Sequence, residues 1–414
     1  MVLNMSADNK ILILGGGQAA AQACASLRQF GYDGPIDVLA DENDLPYQRP
    51  PLSKAYMKGE LDRERLYFKM QDWYQNHDIN LHLGCRAETI DRNARTVIAS
   101  NGEAFDYHTL IIATGSRPRP LPVPGAERTN IFDLRSLADV DQIRPHMQAG
   151  QRIVIVGAGY IGLEAAAVAA QLGLNVTVIE VADRVLARVT SPVMSEFFEA
   201  EHKSHGVVIE TGRKVVEFTG SVRVEGVKTS DGDVIPADLV LVGIGITPND
   251  ELARQAGIGC DNGICVDRDG RTDDPSIFAI GDCARRPLVH YQRDGRLESV
   301  HNAIEQGKLA AAAIAGKPRP SEDCPWFWSD QYDLKLQIAG LSEGFDQVEV
   351  RGEPERRKFA VFYFKSGQFL AVDAVNSPAE FLVSKKLIIS GASIAPEKLR
   401  DTTLSMKDIA AEAV

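Results

Sequence analysis

The sequence predicts an α/β protein with two Rossmann-like parallel-sheet units, and two observations carry that prediction. A short apolar run, a glycine-rich turn and a helix-compatible stretch follow one another at residues 10–31, and the same succession returns at residues 152–180. Both copies lead into a second apolar run that ends on or beside a carboxylate. At 414 residues the chain is long enough for about two or three domains. Its 44% hydrophobic and 25% charged residues are the balance of a soluble globular protein.

The first copy reads KILILGGGQAAAQACASLRQFG. Ile11 to Leu14 suit a buried parallel strand. Gly15 and Gly17 take the first two places of the glycine pattern, Ala19 follows, and Ala20 stands in the third. Without side chains at the turn, a pyrophosphate can approach the backbone N–H groups at the positive end of the helix. The next strand, IDVLADE, brings Asp41 and Glu42 at a spacing suited to a ribose hydroxyl.

The second copy, RIVIVGAGYIGLEAAAVAAQLGLNVTVIE, has all three glycines, Gly157, Gly159 and Gly162, with Tyr160 and Ile161 between the last two. Glu180 closes the following strand 23 residues after the first glycine. A carboxylate there accepts from a 2′-hydroxyl and repels a 2′-phosphate, which favours NADH; Arg184 and Arg188 just beyond argue the other way. Two dinucleotide sites in one chain mean two cofactors, or one cofactor and one dinucleotide substrate.

Two more strand ends fit such ligands. LIIATGSRPR (110–119) reads as a buried strand that turns at Thr114 and Gly115 and runs into a proline-rich crossover. IFAIGDCA (277–284) ends in Gly281-Asp282, suited to close approach of a ribityl or phosphate oxygen at a strand's carboxyl end. The helix expected from Val300 would aim free N–H groups, carrying about half a positive charge, at a flavin pyrimidine.

Composition narrows the alternatives. Lysine and arginine number 45 against 57 acidic residues, a net charge of −12, so neither nucleic acid nor an anionic membrane is an expected partner. The apolar run LAAAAIA, seven residues long, is far short of a membrane span. MVLNMSADNK lacks a basic start followed by an apolar stretch, so no secretory signal is expected and the cytoplasm is the expected compartment. Six cysteines, Cys24, Cys85, Cys260, Cys265, Cys283 and Cys324, include no C-x-x-C, as for reduced thiols. The eight histidines show no ligand spacing, so no metal is expected.

ATGSRPR, GAGYIGLE, GDCA and YQRPPLSK together resemble the FAD-dependent ferredoxin reductases of bacterial oxygenase systems, within the glutathione-reductase-like superfamily. The likeness continues through PWFWSDQYDLKLQIAGLSEG at 325–344. It implies an FAD-binding domain in two parts (1–117 and 246–322), an NAD-binding domain inserted between them (118–245) and an α+β C-terminal domain (323–414). It also implies FAD as cofactor and NADH as donor. The implied acceptor is a two-iron, two-sulfur ferredoxin serving an oxygenase, with a haem-thiolate monooxygenase the first choice. Two positions depart from the pattern: Ala20 replaces the third glycine, and Ala40 stands where the superfamily has glutamate, which passes the ribose contact to Asp41 or Glu42.

The same resemblance implies roles for individual residues. Pro51 and Lys54 lie on the flavin, Lys54 near its N5 side and paired with Glu164, and Tyr160 covers the nicotinamide side until NADH displaces it. Arg49, Thr114, Gly115, Arg135, Asp282, Trp328 and the backbone of Ala87 and Val300 map onto FAD contacts. Disulfide reductases of the superfamily carry their cysteines where RPPLSK stands here, so electrons are expected to leave directly from the flavin edge.

An acidic ferredoxin needs a local basic surface. Residues 308–319 hold Lys308, Lys317 and Arg319 and no carboxylate, and residues 383–407 hold Lys385, Lys386, Lys398, Arg400 and Lys407 against Glu397 and Asp401. Lys308, Lys385, Lys407 and Trp328 are the expected docking residues. Other acceptors compatible with this reading are rubredoxin, a Rieske-type dioxygenase ferredoxin and oxygen. A redox-controlled binding protein resembling apoptosis-inducing factor shares PPLSK, but that family's binding of DNA relies on positive charge. A monomer or weak homodimer is expected.

Overall fold

The computed structural model describes residues 9–413, so residues 1–8 of the amino-terminal stretch read for a leader lie outside the described residues. The chain forms two compact units that interleave along the sequence. Met1–Gln48, Glu64–Arg117 and Thr247–Asp323 make one; Arg49–Arg63, Pro118–Ile246 and Cys324–Val414 make the other.

In the first unit five parallel strands lie in the order Ile277–Ala279, Thr109–Ile112, Ile11–Leu14, Ile36–Leu39, Ile79–His82. Ile11–Leu14 is central and buried on both faces, which is why it is apolar throughout and not alternating. Successive side chains still point oppositely. Ile11 and Ile13 join Ala23 and Leu27 of helix Gln18–Gln29 and Ala310 and Ala311 of helix Val300–Ile314 in one core. Leu12 and Leu14 join Val97 and Phe105, from a three-stranded antiparallel sheet, in another. The second strand ends at Leu39, so Asp41 and Glu42 sit in the turn beyond it and not on the strand itself.

The second unit repeats the plan. Its parallel strands run in the order Val208–Glu210, Asn175–Ile179, Arg152–Val156, Leu239–Val242, Ile131–Asp133. Helix Tyr160–Gln171 follows the second glycine turn, and Val154 and Val156 pack on Phe218 and Val227 of another antiparallel sheet. The carboxyl-terminal part is a five-stranded antiparallel sheet in the order Trp326–Gln331, Leu334–Gly340, Gln368–Val375, Lys358–Lys365, Gln347–Glu353. Phe362, Phe364 and Val372 on one face pack against Phe381, Leu387, Met406 and Ile409 of the helices that follow. The fold is therefore two Rossmann-like α/β layers and an α+β C-terminal part.

Alternate residues of strands Lys358–Lys365 and Gln368–Val375 face the other way. There Asp373 Oδ2 accepts from Thr190 Oγ1 at 2.6 Å and from the Tyr363 hydroxyl at 2.5 Å. Burial pushes the Asp373 carboxyl up to about 6, against the pull of those two hydrogen bonds. A carboxyl raised in the folded state favours folding below its folded pKa, and that contribution is lost as pH rises through about 6. From the ordinary value of 3.8 the loss is at most roughly 3 kcal/mol, at about 1.4 kcal/mol per unit. Asp373→Asn should therefore gain stability relative to the wild type as pH rises from about 4 to 7 in urea unfolding, with the change complete just above the folded value of about 6. A difference that does not change with pH would show that this carboxyl does not ionise in that window.

Candidate functional site

The first glycine turn is forced by backbone contact. Gly15 has φ +115°, and a β-carbon there would lie 2.3 Å from the Ala113 carbonyl oxygen. Gly17 is different: a β-carbon would meet nothing within 4 Å, so it leaves open space at the start of helix Gln18–Gln29. That helix start has no side-chain cap and no acid in its first turn. Uncapped N–H groups beside open space fit the pyrophosphate of a dinucleotide. Ala20 lies only 1% exposed in the helix-side core, where its methyl packs with Ala23 and Cys24, while Ala19 lies against Gly281 and Gly307. Asp41 is exposed, and Glu42 Oε2 accepts from the Tyr47 hydroxyl at 2.5 Å.

The other strand ends of this unit are tied together by short polar contacts. Thr114 Oγ1 donates to the Asn249 carbonyl at 2.7 Å, Asn249 Nδ2 donates to the Thr114 carbonyl at 2.8 Å, and Gly115 has φ +65°. Asp282 Oδ2 accepts from Ser116 Oγ at 2.9 Å. Gly281 N donates to Gln306 Oε1 at 2.5 Å, and buried Gln306 Nε2 has no partner among the described residues. Helix Val300–Ile314 begins at Val300, and Ser299 Oγ caps the amide of Asn302 at 3.1 Å. Sequence reasoning left all those amides free; serine before the helix was the available signal. Ala87 opens strand Ala87–Asp91 at a bulge and packs on the strand-side core.

In the second unit, a β-carbon on Gly157 would lie 2.5 Å from the Gly243 carbonyl oxygen, and one on Gly162 would lie 2.1 Å from that of Gly157. Gly159, like Gly17, faces open space, and helix Tyr160–Gln171 starts without a side-chain cap or an acid. Ile161 is exposed beside it. Glu180 bends back under the turn: Oε2 accepts from Ala158 N at 2.7 Å and Oε1 from Ala182 N at 2.9 Å. Arg184 is taken up by the Thr190 and Ala187 carbonyls and Ser195 Oγ, leaving only exposed Arg188 as the counterargument to NADH.

The segment RPPLSK also belongs to this unit. Pro50–Ser53 form one tight turn that leads through Lys54 into helix Ala55–Lys58, and Arg49 Nη1 donates to the Arg135 carbonyl at 2.7 Å. Lys54 Nζ stands 2.6 Å from Glu164 Oε2, with Glu164 only 2% exposed. Ser53 Oγ donates to the same oxygen at 2.6 Å, and Ser329 Oγ donates to Oε1 at 2.7 Å. Neither serine was anticipated from sequence. The Tyr160 ring lies 5.0 Å from Phe327. Its buried hydroxyl has no partner among the described residues, and burial together with the charge of Asp373 holds that phenol far above its ordinary range.

The expected docking residues fare differently. Lys308 and Lys407 are exposed on their helices. Trp328 is half-buried beside Trp326, and the Lys385 ammonium lies 5.5 Å from the Trp326 ring. Charges added along the sequence do not stay free in space. Arg400 is bound by Glu349, Lys398 by Glu412 and Arg319 by Glu322, all carboxylates outside the counted segments.

Every cysteine is a free thiol; Cys24, Cys85, Cys283 and Cys324 are buried. Burial pushes the Cys24 thiol up to about 12 and the Cys260 thiol up to about 11, away from reactive thiolate. Alkylation of the holoenzyme at neutral pH is therefore expected to leave NADH-driven turnover unchanged; its abolition would place a thiol on the electron path. Among the described residues no cluster could hold a metal ion, and no helix is long and apolar enough to cross a membrane.

Residues 9–307 match the model of the pyridine nucleotide-disulphide oxidoreductase family, and residues 326–410 match that of the reductase C-terminal family. The chain is 43% identical over 415 residues to putidaredoxin reductase of Pseudomonas putida, spanning 99% of this chain and 98% of that protein. It is similar to the reductase in the crystal structure of a covalent putidaredoxin reductase–putidaredoxin complex, with TM-score 0.96, 43% identity and 99% of both chains covered. It is also similar to a ferredoxin reductase of a CYP system from Rhodopseudomonas palustris, with TM-score 0.94, 42% identity, and 97% of this chain and 100% of that one covered. The two uncapped glycine turns and the thiol-free RPPLSK segment thus sit in a chain that belongs to the pyridine nucleotide-disulphide oxidoreductase family and, within it, to the FAD-dependent ferredoxin reductases.

Proposed function

We propose that this enzyme takes a hydride from NADH and passes single electrons to a two-iron, two-sulfur ferredoxin that feeds an oxygenase, a haem-thiolate monooxygenase in the first instance. The observation that carries the reading is the Lys54–Glu164 pair at 2.6 Å, in the segment where a disulfide reductase would carry thiols. Bound FAD accepts a hydride and can release electrons one at a time. The chain's own part is placement. Gly15, Gly17, Ala19 and Ala20 receive the FAD pyrophosphate and Asp41 or Glu42 its ribose. Ala87, Thr114, Gly115, Asp282 and Val300, and separately Arg49, Pro51, Arg135 and Trp328, are the further residues that the family resemblance assigns to FAD. Gly157, Gly159, Ile161, Gly162 and Glu180 receive NADH, and Tyr160 yields its place to the nicotinamide. Lys54 offers a fixed cation toward the flavin N5 side, where negative charge develops.

In domain terms, residues 1–117 and 246–322 bind FAD, 118–245 bind NAD, and 323–414 form the C-terminal domain of a cytoplasmic monomer or weak homodimer. The putidaredoxin complex among the similar structures supports a small electron-carrier partner, and the reductase of a CYP system supports the haem-thiolate choice. Purified enzyme with NADH should reduce a two-iron, two-sulfur ferredoxin much faster than rubredoxin or oxygen. Preference for rubredoxin would overturn the acceptor. Reversing charge at Lys308 and Lys407 is expected to slow ferredoxin reduction, more so at low salt, while ferricyanide reduction is kept. Equal loss of both activities would remove the docking assignment.

A further inference from the structure

Beyond Lys54, Glu164 is the end of a longer hydrogen-bonded chain whose direction can be worked out atom by atom. Ser329 Oγ lies 2.7 Å from Glu164 Oε1, Gln331 Nε2 lies 3.2 Å from Ser329 Oγ, His202 Nε2 lies 2.8 Å from Gln331 Oε1, and the Tyr332 hydroxyl lies 3.0 Å from His202 Nδ1. A carboxylate only accepts, so the single Ser329 hydrogen goes to Glu164. Ser329 Oγ must then accept, which turns the amide nitrogen of Gln331 toward it and the amide oxygen toward His202. His202 Nε2 must therefore carry a hydrogen, and its Nδ1 lone pair is left for the Tyr332 O–H. Every hydrogen in the chain points toward Glu164. Burial keeps the His202 imidazole neutral, down to about 4, as this arrangement requires. Glu164, Ser329, Gln331 and His202 are all buried, whereas Tyr332 reaches the half-exposed surface and stacks on His205.

We propose that Ser329, Gln331 and His202 are positioning residues that act on Lys54 through Glu164. The chain holds one carboxylate oxygen from behind, so that the other is presented at a fixed place to Lys54 and Ser53. It orients and does not conduct, because the amide of Gln331 cannot pass a proton without leaving its stable tautomer. Ordered donors aimed at one buried acceptor strengthen one another in a low-dielectric interior. The sequence alone conceals the arrangement, since Ser329 and Gln331 alternate on one face of an edge strand while His202 comes from the helix Pro192–Ser204.

The proposal rests on the reading of Lys54 as the cation beside the flavin, and the test separates the two. Holoenzyme variants are compared by the two-electron midpoint potential of the bound flavin, and the histidine-labelled parent and Gln331→Leu by imidazole nitrogen spectra. Lys54→Met is expected to lower the potential. Ser329→Ala and Gln331→Leu are expected to shift it in the same direction by a smaller step, and Ser329→Thr, which keeps the hydroxyl, to restore the parent value. His202 is expected as the neutral Nε2–H tautomer in the parent, with that preference lost in Gln331→Leu. Parent potentials in Ser329→Ala and Gln331→Leu beside a lowered one in Lys54→Met overturn the positioning chain and leave Lys54 in place. An unchanged potential in Lys54→Met overturns the lysine reading, and the proposal falls with it. Should a variant fail to fold, the parent spectrum decides: an Nδ1–H signal for His202 overturns the chain.

Discussion

Gly15→Ala is expected to purify without flavin and to unfold well below the temperature of the native protein. The added methyl would sit 2.3 Å from the carbonyl oxygen and 2.8 Å from the carbonyl carbon of Ala113. Those are backbone atoms in line with the buried strand Thr109–Ile112, so they have nowhere to move. At φ +115° the substitution also leaves alanine in a region that side chains avoid. Strain of about 1–3 kcal/mol and overpacking of about 1–3 kcal/mol are large beside a total stability of roughly 5–15 kcal/mol. Gly17→Ala is the informative control. Its φ is −88° and the methyl meets nothing, so the apo chain should melt unchanged while flavin affinity falls. Flavin-to-protein ratios and apo melting curves separate the two outcomes. Equal destabilisation by both would show that Gly17 serves the fold and not a ligand.

Lys54→Met is expected to cost both stability and catalysis. It leaves the Glu164 carboxylate buried with only the hydroxyls of Ser53 and Ser329, and breaking a buried ion pair from one side costs about 3–5 kcal/mol. Lys54 itself is 20% exposed, which places the expected loss toward the lower end of that range. Adding Glu164→Gln removes the stranded charge, so the double variant should recover most of the stability. It should not recover hydride transfer from NADH, expected to slow by roughly a hundredfold when a fixed charge aimed at the reacting centre is lost. Stopped-flow bleaching of the flavin and urea unfolding read the two effects separately. Rapid flavin reduction in the double variant would mean that Lys54 is only one half of a structural pair.

Charge illustrates how far a linear reading reaches. Counting residues 383–407 suggested a basic docking surface, yet Arg400 is held by Glu349 on a strand of the carboxyl-terminal sheet and Lys398 by Glu412. The neutralising groups lie outside the counted window, so only folding reveals which cations remain for a partner. Arg184 tells the same story at the second turn, where its guanidinium closes a loop of its own chain.

What the sequence by itself determined are the features that backbone geometry and local chemistry impose within about thirty residues. Apolar strands, glycines at the two turns, the terminal Glu180 and the lack of thiols in RPPLSK are all local, and each could be read in place. Only the tertiary structure decided what surrounds a buried charge. Ser53 and Ser329 reach Glu164 from segments far apart in the chain, with Gln331 and His202 linked behind Ser329, as Thr190 and Tyr363 converge on Asp373. The physical reason is that a carboxylate removed from water must find donors wherever packing can bring them, and packing has no fixed spacing along the sequence.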